Sequence, residues 1–312
     1  MAGFQVRTDL AVEAREHLEE DAKEASGVRF REWEAGEHIR VSQVLVESEQ
    51  GAAQIGKPVG TYLTLEAAEL WTNDGGSHRE TSRVLAEQIH ALLGRTVEKP
   101  VGEAPRVLVV GLGNAAVTSD SLGPKVCGNL AVTRNLLPEG RVSSIAPGVM
   151  AQTGMEAAEV IRGIVRETEP EAVLVVDALA ARSVRRLGNT IQLSDAGIHP
   201  GSGVGNHRDG LTRESLGVPV IALGAPTVVR AAAIVCDTVE ALGEVLAGRP
   251  ETEPVSRTLE EMTDAEKYQF VRELLEPRFG PLFVTPKDVD DTIERLSFTI
   301  SEGINIALHG EA

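Results

Sequence analysis

Val107-Leu-Val-Val-Gly-Leu-Gly-Asn-Ala-Ala-Val-Thr-Ser-Asp-Ser-Leu-Gly-Pro124 passes from an unbroken apolar run through small residues to an acid. Four consecutive aliphatic residues before a glycine fit a strand covered on both faces, because alternation is lost when neither face meets water. Gly111 and Gly113 then allow a sharp turn at the carboxyl end of that strand, where open α/β sheets place their ligands. Asp120 falls inside this loop. The pattern makes it the residue that the strand and its glycines position.

The same arrangement recurs downstream. Ala172-Val-Leu-Val-Val176 is a second continuous apolar run, bounded by Pro170 and followed by Asp177, so a second acid is expected at a second strand end. Between the two runs the spacing predicts helices over Lys125–Leu137 and Gly154–Thr168. After them come a possible strand at Ile191–Ser194, a strand at Val218–Leu223 and a long helix over Val228–Leu246. Strands alternating with helices argue for an α/β fold, a mostly parallel sheet with helices on both faces whose strand ends converge on one edge. Asp120 and Asp177 then share that edge.

Upstream, Ile39–Val46 and Thr61–Leu65 read as strands of a small accessory sheet, and His78–Leu93 as a helix stopped by Gly94. Residues 10–95 therefore form an accessory region, 96–248 the α/β core, and 249–312 a linker and terminal helices. A weak boundary falls near residue 95 within one compact domain. Pro286 suits an early helical position with Thr285 as its cap. The acidic run around Glu16, Glu19, Glu20 and Glu24 reads as the solvated face of an exposed helix.

Composition narrows the function. Acidic residues number 47 against 30 basic ones in 312, and no basic stripe appears, so direct nucleic-acid binding is disfavoured. No apolar run reaches the length of about 18 residues that a membrane helix needs, and Asp9, Glu13 and Glu16 stand where a signal peptide carries basic and apolar residues. A cytoplasmic protein without membrane partners is expected. Cys127 and Cys236 lack metal or redox spacing and read as packing residues.

Several motifs fall short of a known chemistry. Gly111-Leu-Gly-Asn114 resembles the start of a dinucleotide fingerprint, but Ala116 stands where the third glycine belongs. Ser202, between Gly201 and Gly203, is not a nucleophile elbow, because Pro200 replaces the required glycine. His199 and His207 sit in one Gly-rich loop without the spacing of a helical zinc site, and His199 reads as structural or substrate-orienting. The two aspartates carry the sharper signal. An ionised carboxylate can take a proton from water while a protonated one polarises a peptide carbonyl, and two carboxyls held close raise one pKa so that both forms coexist. An acid at a strand end is also a common helix cap or loop anchor, and that reading stays open on spacing alone.

Taken together, Arg7-Thr-Asp-Leu-Ala-Val-Glu-Ala14, Gly111-Leu-Gly-Asn114 with Asp120-Ser-Leu-Gly-Pro124, Pro147-Gly-Val-Met150, Asp177-Ala-Leu-Ala-Ala-Arg-Ser183 and Ser194-Asp-Ala-Gly-Ile-His-Pro-Gly-Ser-Gly-Val-Gly-Asn206 resemble the germination protease family of spore-forming bacteria. The resemblance resumes at Phe283–Val289 and Gly303–His309. It implies a fold similar to the hydrogenase-maturation proteases (phosphorylase/hydrolase-like) and an atypical aspartic endopeptidase that degrades small acid-soluble spore proteins in the forespore or spore core. By the same resemblance Asp120 and Asp177 are the catalytic acids, without an organic cofactor or a metal. Asn114, His199, Gly201, Ser202 and Gly203 would support the site or bind substrate. The family is a self-processing homotetrameric zymogen. Residues 1–9 would be the propeptide, cut between Asp9 and Leu10, and Asp9-Leu-Ala-Val-Glu13 is similar to the pattern the family cuts in its substrates.

Ser119, Ser121 and Arg230 depart from the family pattern, where proline, alanine and an acid are usual. Two other readings remain. One is a metal-dependent peptidase on the same fold with His199 or an acid as ligand, and the other is a non-catalytic binding protein for spore proteins.

Overall fold

A computed structural model describes residues 8–20, 26–70, 72, 74–98, 104–201, 209–246 and 252–311. In chain order the elements are α1 (Ala11–Glu20), β1 (Val28–Glu34), β2 (Ile39–Val46), α2 (Glu49–Ile55), β3 (Gly60–Ala67), α3 (Gly75–Thr96), β4 (Val107–Gly111), α4 (Leu122–Gly128) and β5 (Val142–Ile145). They continue with α5 (Met150–Thr153), α6 (Ala157–Thr168), β6 (Ala172–Ala181), β7 (Thr190–Ser194), α7 (Arg213–Leu216), β8 (Val220–Arg230), α8 (Ala231–Leu246), α9 (Glu253–Glu261), α10 (Asp264–Phe279), β9 (Phe283–Val284) and α11 (Val289–His309).

The α/β class is as expected. Strands β8, β6, β4 and β5 lie side by side in parallel, and these include the two apolar runs read from the sequence. The accessory strands β1, β2 and β3 do not stand apart. They continue the same sheet through β7, which runs antiparallel to both β3 and β8, giving the order β1-β2-β3-β7-β8-β6-β4-β5 with β9 attached to β8.

Alternation along each strand sends side chains to opposite faces. One face packs Leu174, Val176, Ile221, Leu223, Ile191 and Leu193 against α3, α4 and α11. The other packs Val173, Val175 and Val220 against α6 and α7, and, farther along the strands, Leu179, Ala181 and Val229 against α8 and α10. Helices therefore cover both faces. No helix among the described residues is long and apolar enough to cross a membrane.

Several local expectations are corrected. The helix expected over Lys125–Leu137 ends at Gly128. After it the backbone folds back on β5, with Thr133 and Arg134 N–H groups both donating to the Val142 carbonyl, and Leu136 and Leu137 are exposed. Apolar spacing there has no surface to pack on. The linker expected over Arg249–Arg257 is helical from residue 253, where α9 begins with Pro254 in its first turn. Thr285 is no helix cap, because the chain pairs as β9 and the last helix begins only after Asp288. At the other end, Leu10, Ala11, Val12 and Glu13 are buried, so the start of α1 is a docked element.

Candidate active site

β4 ends at Gly111, and the chain must then turn within a crowded space. A Cβ on Gly111 would lie 2.2 Å from the Gly123 carbonyl oxygen, and one on Gly123 2.3 Å from that of Leu112, so the entry to α4 crosses directly over the strand end. Gly113 adopts φ +112°, and a Cβ there would fall 2.0 Å from the Asp120 carbonyl oxygen. Both constraints require glycine. The loop closes as a 3-10 turn over Thr118–Asp120, and the Asn114 backbone N–H donates to Asp120 Oδ2 at 2.8 Å. Asn114 Oδ1 in turn accepts from the Ala116 N–H and from Gln152 Nε2. Two of the residues that depart from the family pattern are tied down: Ser119 O accepts from Thr227 Oγ1 at 2.7 Å, and Ser121 Oγ donates to Thr118 O at 2.8 Å. The third, Arg230, sits with its guanidinium over the Phe283 ring.

Asp177 is not at a strand end. β6 continues four residues beyond it to Ala181, because β8 runs alongside as far as Val229. What ends is the neighbour: β4 pairs β6 only up to Val176 and then turns away at Leu112. Asp177 therefore lies where one flank of a continuing strand is uncovered, buried, with Oδ1 accepting from the Ala178 N–H at 2.9 Å. On its other flank stands Gly224 of β8, where a Cβ would lie 2.5 Å from the Asp177 carbonyl oxygen.

Asp120 and Asp177 line one cleft of about 380 Å³, together with Gly113, Gly148, Gly201 and Asp9. A second cleft of about 290 Å³ adjoins it through Asp9 and Leu179 and contains Lys57, Gln192 and His199. The expected pair is thus brought together, Asn114 supports Asp120, and Gly201 forms part of the wall. His199 belongs to the second cleft, on the far side of Asp9. Ser202 and Gly203 lie outside the described residues. Among the described residues no group of three or more His, Cys, Asp or Glu side chains is arranged to hold a metal ion.

The segment Thr8–Glu13 lies across the junction of the two clefts. Asp9 N–H donates to the Ala180 carbonyl at 3.0 Å, and Asp9 Oδ2 accepts from the Ala180 N–H at 2.9 Å, so residue 9 is clasped by the end of β6. Its carbonyl oxygen accepts from Gln192 Nε2 and Lys57 Nζ. Leu10 is fully buried against Leu179, Val229 and Ala232. Four residues after Asp9, Glu13 receives the N–H groups of Arg182 and Ser183 at 2.8 and 2.9 Å and the Thr8 hydroxyl. Burial pushes the Glu13 carboxyl up, opposed by these hydrogen bonds and by the Arg186 guanidinium. Burial likewise pushes the Lys57 ammonium down, opposed by the charges of Asp9 and Glu13.

Lys57, Gln192 and the backbone of residues 180–183 were not singled out in the sequence. Lys57 sits in an ordinary polar turn. Gln192 did carry a signal: it is the one long polar side chain between Ile191 and Leu193, which both face the core, so it must face the opposite side.

A family model for germination protease matches residues 6–259 and 244–312. The chain belongs to the germination protease family. It is therefore one of a family of peptidases. Germination proteases from Caldanaerobacter subterraneus subsp. tengcongensis and Clostridium perfringens are 45% and 43% identical to it, over 97% and 98% of this chain and 94% and 95% of theirs. A germination protease from Bacillus mycoides is 39% identical over 99% of this chain and 95% of its own. Among solved structures, a nickel–iron hydrogenase maturation protease from Thermococcus kodakarensis is similar at a TM-score of 0.34 and 16% identity, covering 70% of this chain and 98% of that one.

Proposed function

We propose that the protein is an aspartic endopeptidase made as a zymogen, which removes residues 1–9 from itself and then degrades small acid-soluble spore proteins in the spore core as a homotetramer. One observation carries the reading. Asp120 and Asp177, brought from different elements, line the same cleft as Asp9, the residue on the acyl side of the bond to be cut.

The chemistry follows from the pair. In hydrolysis the ionised carboxylate takes a proton from water as its oxygen attacks the peptide carbonyl, and the protonated carboxyl supplies a proton. Two carboxyls facing one cleft favour this mixed state, because ionising both places like charges together. When two carboxyls share one proton, the roles of base and acid belong to the pair.

Recognition follows from the docked segment. An acid at residue 9 meets the Ala180 N–H, an apolar residue at 10 fills a closed pocket, and an acid at 13 meets two backbone N–H groups. A spore protein with acids at the same spacing would use the same contacts once residues 10–13 yield them.

The test is digestion of a purified small acid-soluble spore protein by the processed chain, with and without chelator, beside Asp120→Asn and Asp177→Asn. Cleavage at acid–apolar bonds that survives chelation and disappears in both variants supports the reading. Inhibition by chelator makes the site metal-dependent. Binding without cleavage makes the protein a spore-protein holder.

A further inference from the structure

The carbonyl oxygen of Asp9 accepts two hydrogen bonds, from Lys57 Nζ at 3.0 Å and from Gln192 Nε2 at 2.9 Å. A carbonyl oxygen offers two lone pairs, and both are engaged here. We infer that Lys57 and Gln192 bind the carbonyl oxygen of the bond being cut and stabilise the negative charge it acquires, leaving the proton of the Asp120–Asp177 pair for the departing nitrogen. The inference rests on the reading of Asp9–Leu10 as the bond that is hydrolysed. It changes the expected division of labour, because the protonated aspartate no longer has to polarise the carbonyl.

The backbone that carries each donor is held independently of the segment they contact, and the segment itself completes the orientation of the two side chains. Lys57 follows Gly56, which ends α2 in the left-handed conformation (φ 67°) with its N–H on the Ala52 carbonyl, and it precedes Pro58, which restricts it to an extended backbone. The Pro58 carbonyl is itself fixed by the Tyr62 hydroxyl at 2.8 Å. Gln192 lies in the middle of β7, between Thr64 of β3 and Gly224 of β8. Its amide orientation is fixed by its partners: Oε1 accepts from the Ala11 N–H at 2.7 Å, which turns Nε2 toward the Asp9 carbonyl. Lys57 Nζ also donates to the Thr8 carbonyl at 2.8 Å. The chain is thus gripped on both sides of the Asp9–Leu10 bond, with Ala180 holding residue 9 and Gln192 holding residue 11.

The step balances without any further reagent. Water oxygen bonds to the Asp9 carbonyl carbon and one water proton passes to the ionised carboxylate. The carbonyl π pair moves onto the oxygen, which Lys57 and Gln192 face. Collapse of this intermediate breaks the C–N bond, and the protonated carboxyl gives its proton to the Leu10 nitrogen. The products are a carboxyl group on Asp9 and an amine on Leu10. Donors already in place at that oxygen need no reorganisation as charge develops, which is why such groups act more on the transition state than on the bound chain.

The full-length chain supplies its own test. The rate of loss of residues 1–9 is followed by intact mass in the native chain, Lys57→Met, Lys57→Arg, Gln192→Met and Asp120→Asn, and docking of residues 10–13 is followed in each by amide-exchange protection. We expect Lys57→Met and Gln192→Met each to slow processing by about 100- to 1000-fold, the range for removing one such donor, with protection retained at residues 10, 12 and 13; Ala11 is set aside as a reporter because Gln192→Met removes the acceptor of its N–H. Lys57→Arg, which restores a donor, should recover at least about tenfold of the loss. Unchanged rates in both methionine variants overturn the inference. So does a rate loss matched by loss of protection, because the two side chains are then only a clamp. If the native chain processes and Asp120→Asn does not, the proposed function stands whatever Lys57 does; if the native chain does not process at this bond, that reading fails and the inference fails with it.

Discussion

The two sides of the cleft are built in opposite ways. The Asp120 loop is specified locally, within fourteen residues from Val107 to Asp120, by an aliphatic strand, two glycines that no other residue can replace and a 3-10 turn. The dock for residues 8–13 is assembled from distant parts of the chain: Lys57 after α2, residues 180–183 at the end of β6, Gln192 on β7 and Val229 on β8. The difference teaches that one acid can be placed by local backbone geometry, whereas a surface that holds an extended segment needs several strands at once. Damage should follow the same division. Changes in the loop should abolish chemistry with the segment still docked, and changes in the dock should loosen the segment with the acids still in place.

The largest effect is expected from Asp120→Asn or Asp177→Asn, each lowering the rate of peptide cleavage by about 10²- to 10⁴-fold, the usual contribution of a general acid or base. Melting temperature and exchange protection at residues 10–13 should change little in the Asp120 variant. A collapse of that protection would show that the acid supports the dock and would erase the distinction between the two regions.

Gly113→Ala comes next. It places a Cβ at φ +112° and 2.0 Å from the Asp120 carbonyl oxygen. Backbone strain and overpacking together should cost about 3 kcal/mol or more, read in chemical denaturation, and activity should fall with the misplaced acid. A variant of native stability would mean that the loop is less tightly determined than its contacts indicate.

The dock is probed by Leu10→Ala. Leu10 is fully buried among Leu179, Val229 and Ala232, and truncation of such a side chain costs about 3 kcal/mol. The expected outcome is lost exchange protection and faster proteolysis confined to residues 8–13. Global unfolding at the same denaturant concentration would show that the segment is part of the core rather than a separable ligand of it.

The smallest effect is a pH dependence. Glu13 has its pKa raised by burial above 4.5, so the folded, docked state binds its proton more readily than the free segment does. The corresponding stabilisation is complete below 4.5 and is lost as pH rises through the raised value. The groups facing Glu13 are the Arg182 and Ser183 N–H groups, Thr8, Arg186 and Lys57. Protection factors for residues 10–13 should therefore rise as pH falls through that window in the native chain, and should be flatter in Glu13→Gln. The same slope in both would assign the effect to another group.

How much could be read from sequence follows the same line between local and distant. The strand, the glycines and Asp120 are legible because the closest contact that each glycine makes, and the turn that carries the acid, lie within residues 107–124. Asp177 was placed at the right edge for an incomplete reason: Val176 is where the neighbour β4 stops pairing, while β6 itself continues. The helix expected beyond Gly128 failed because apolar spacing says nothing about whether a surface is there to meet it, and Leu136 and Leu137 meet none. β7 was expected as a strand, but its antiparallel pairing, which joins β1–β3 to the parallel core, depends on partners more than a hundred residues away for β3. Lys57 and Gln192 became meaningful only when both were seen to reach one carbonyl oxygen.

The most direct test of the central claim is intact mass and N-terminal sequence of the full-length chain after incubation at mildly acidic pH, beside Asp120→Asn and Asp177→Asn, each with and without chelator. The account predicts that the native chain alone loses Met1–Asp9 and begins at Leu10, and that chelator changes nothing. Processing at the same bond in both variants would contradict it, because the two aspartates would then be structural and the bond would be cut by other means.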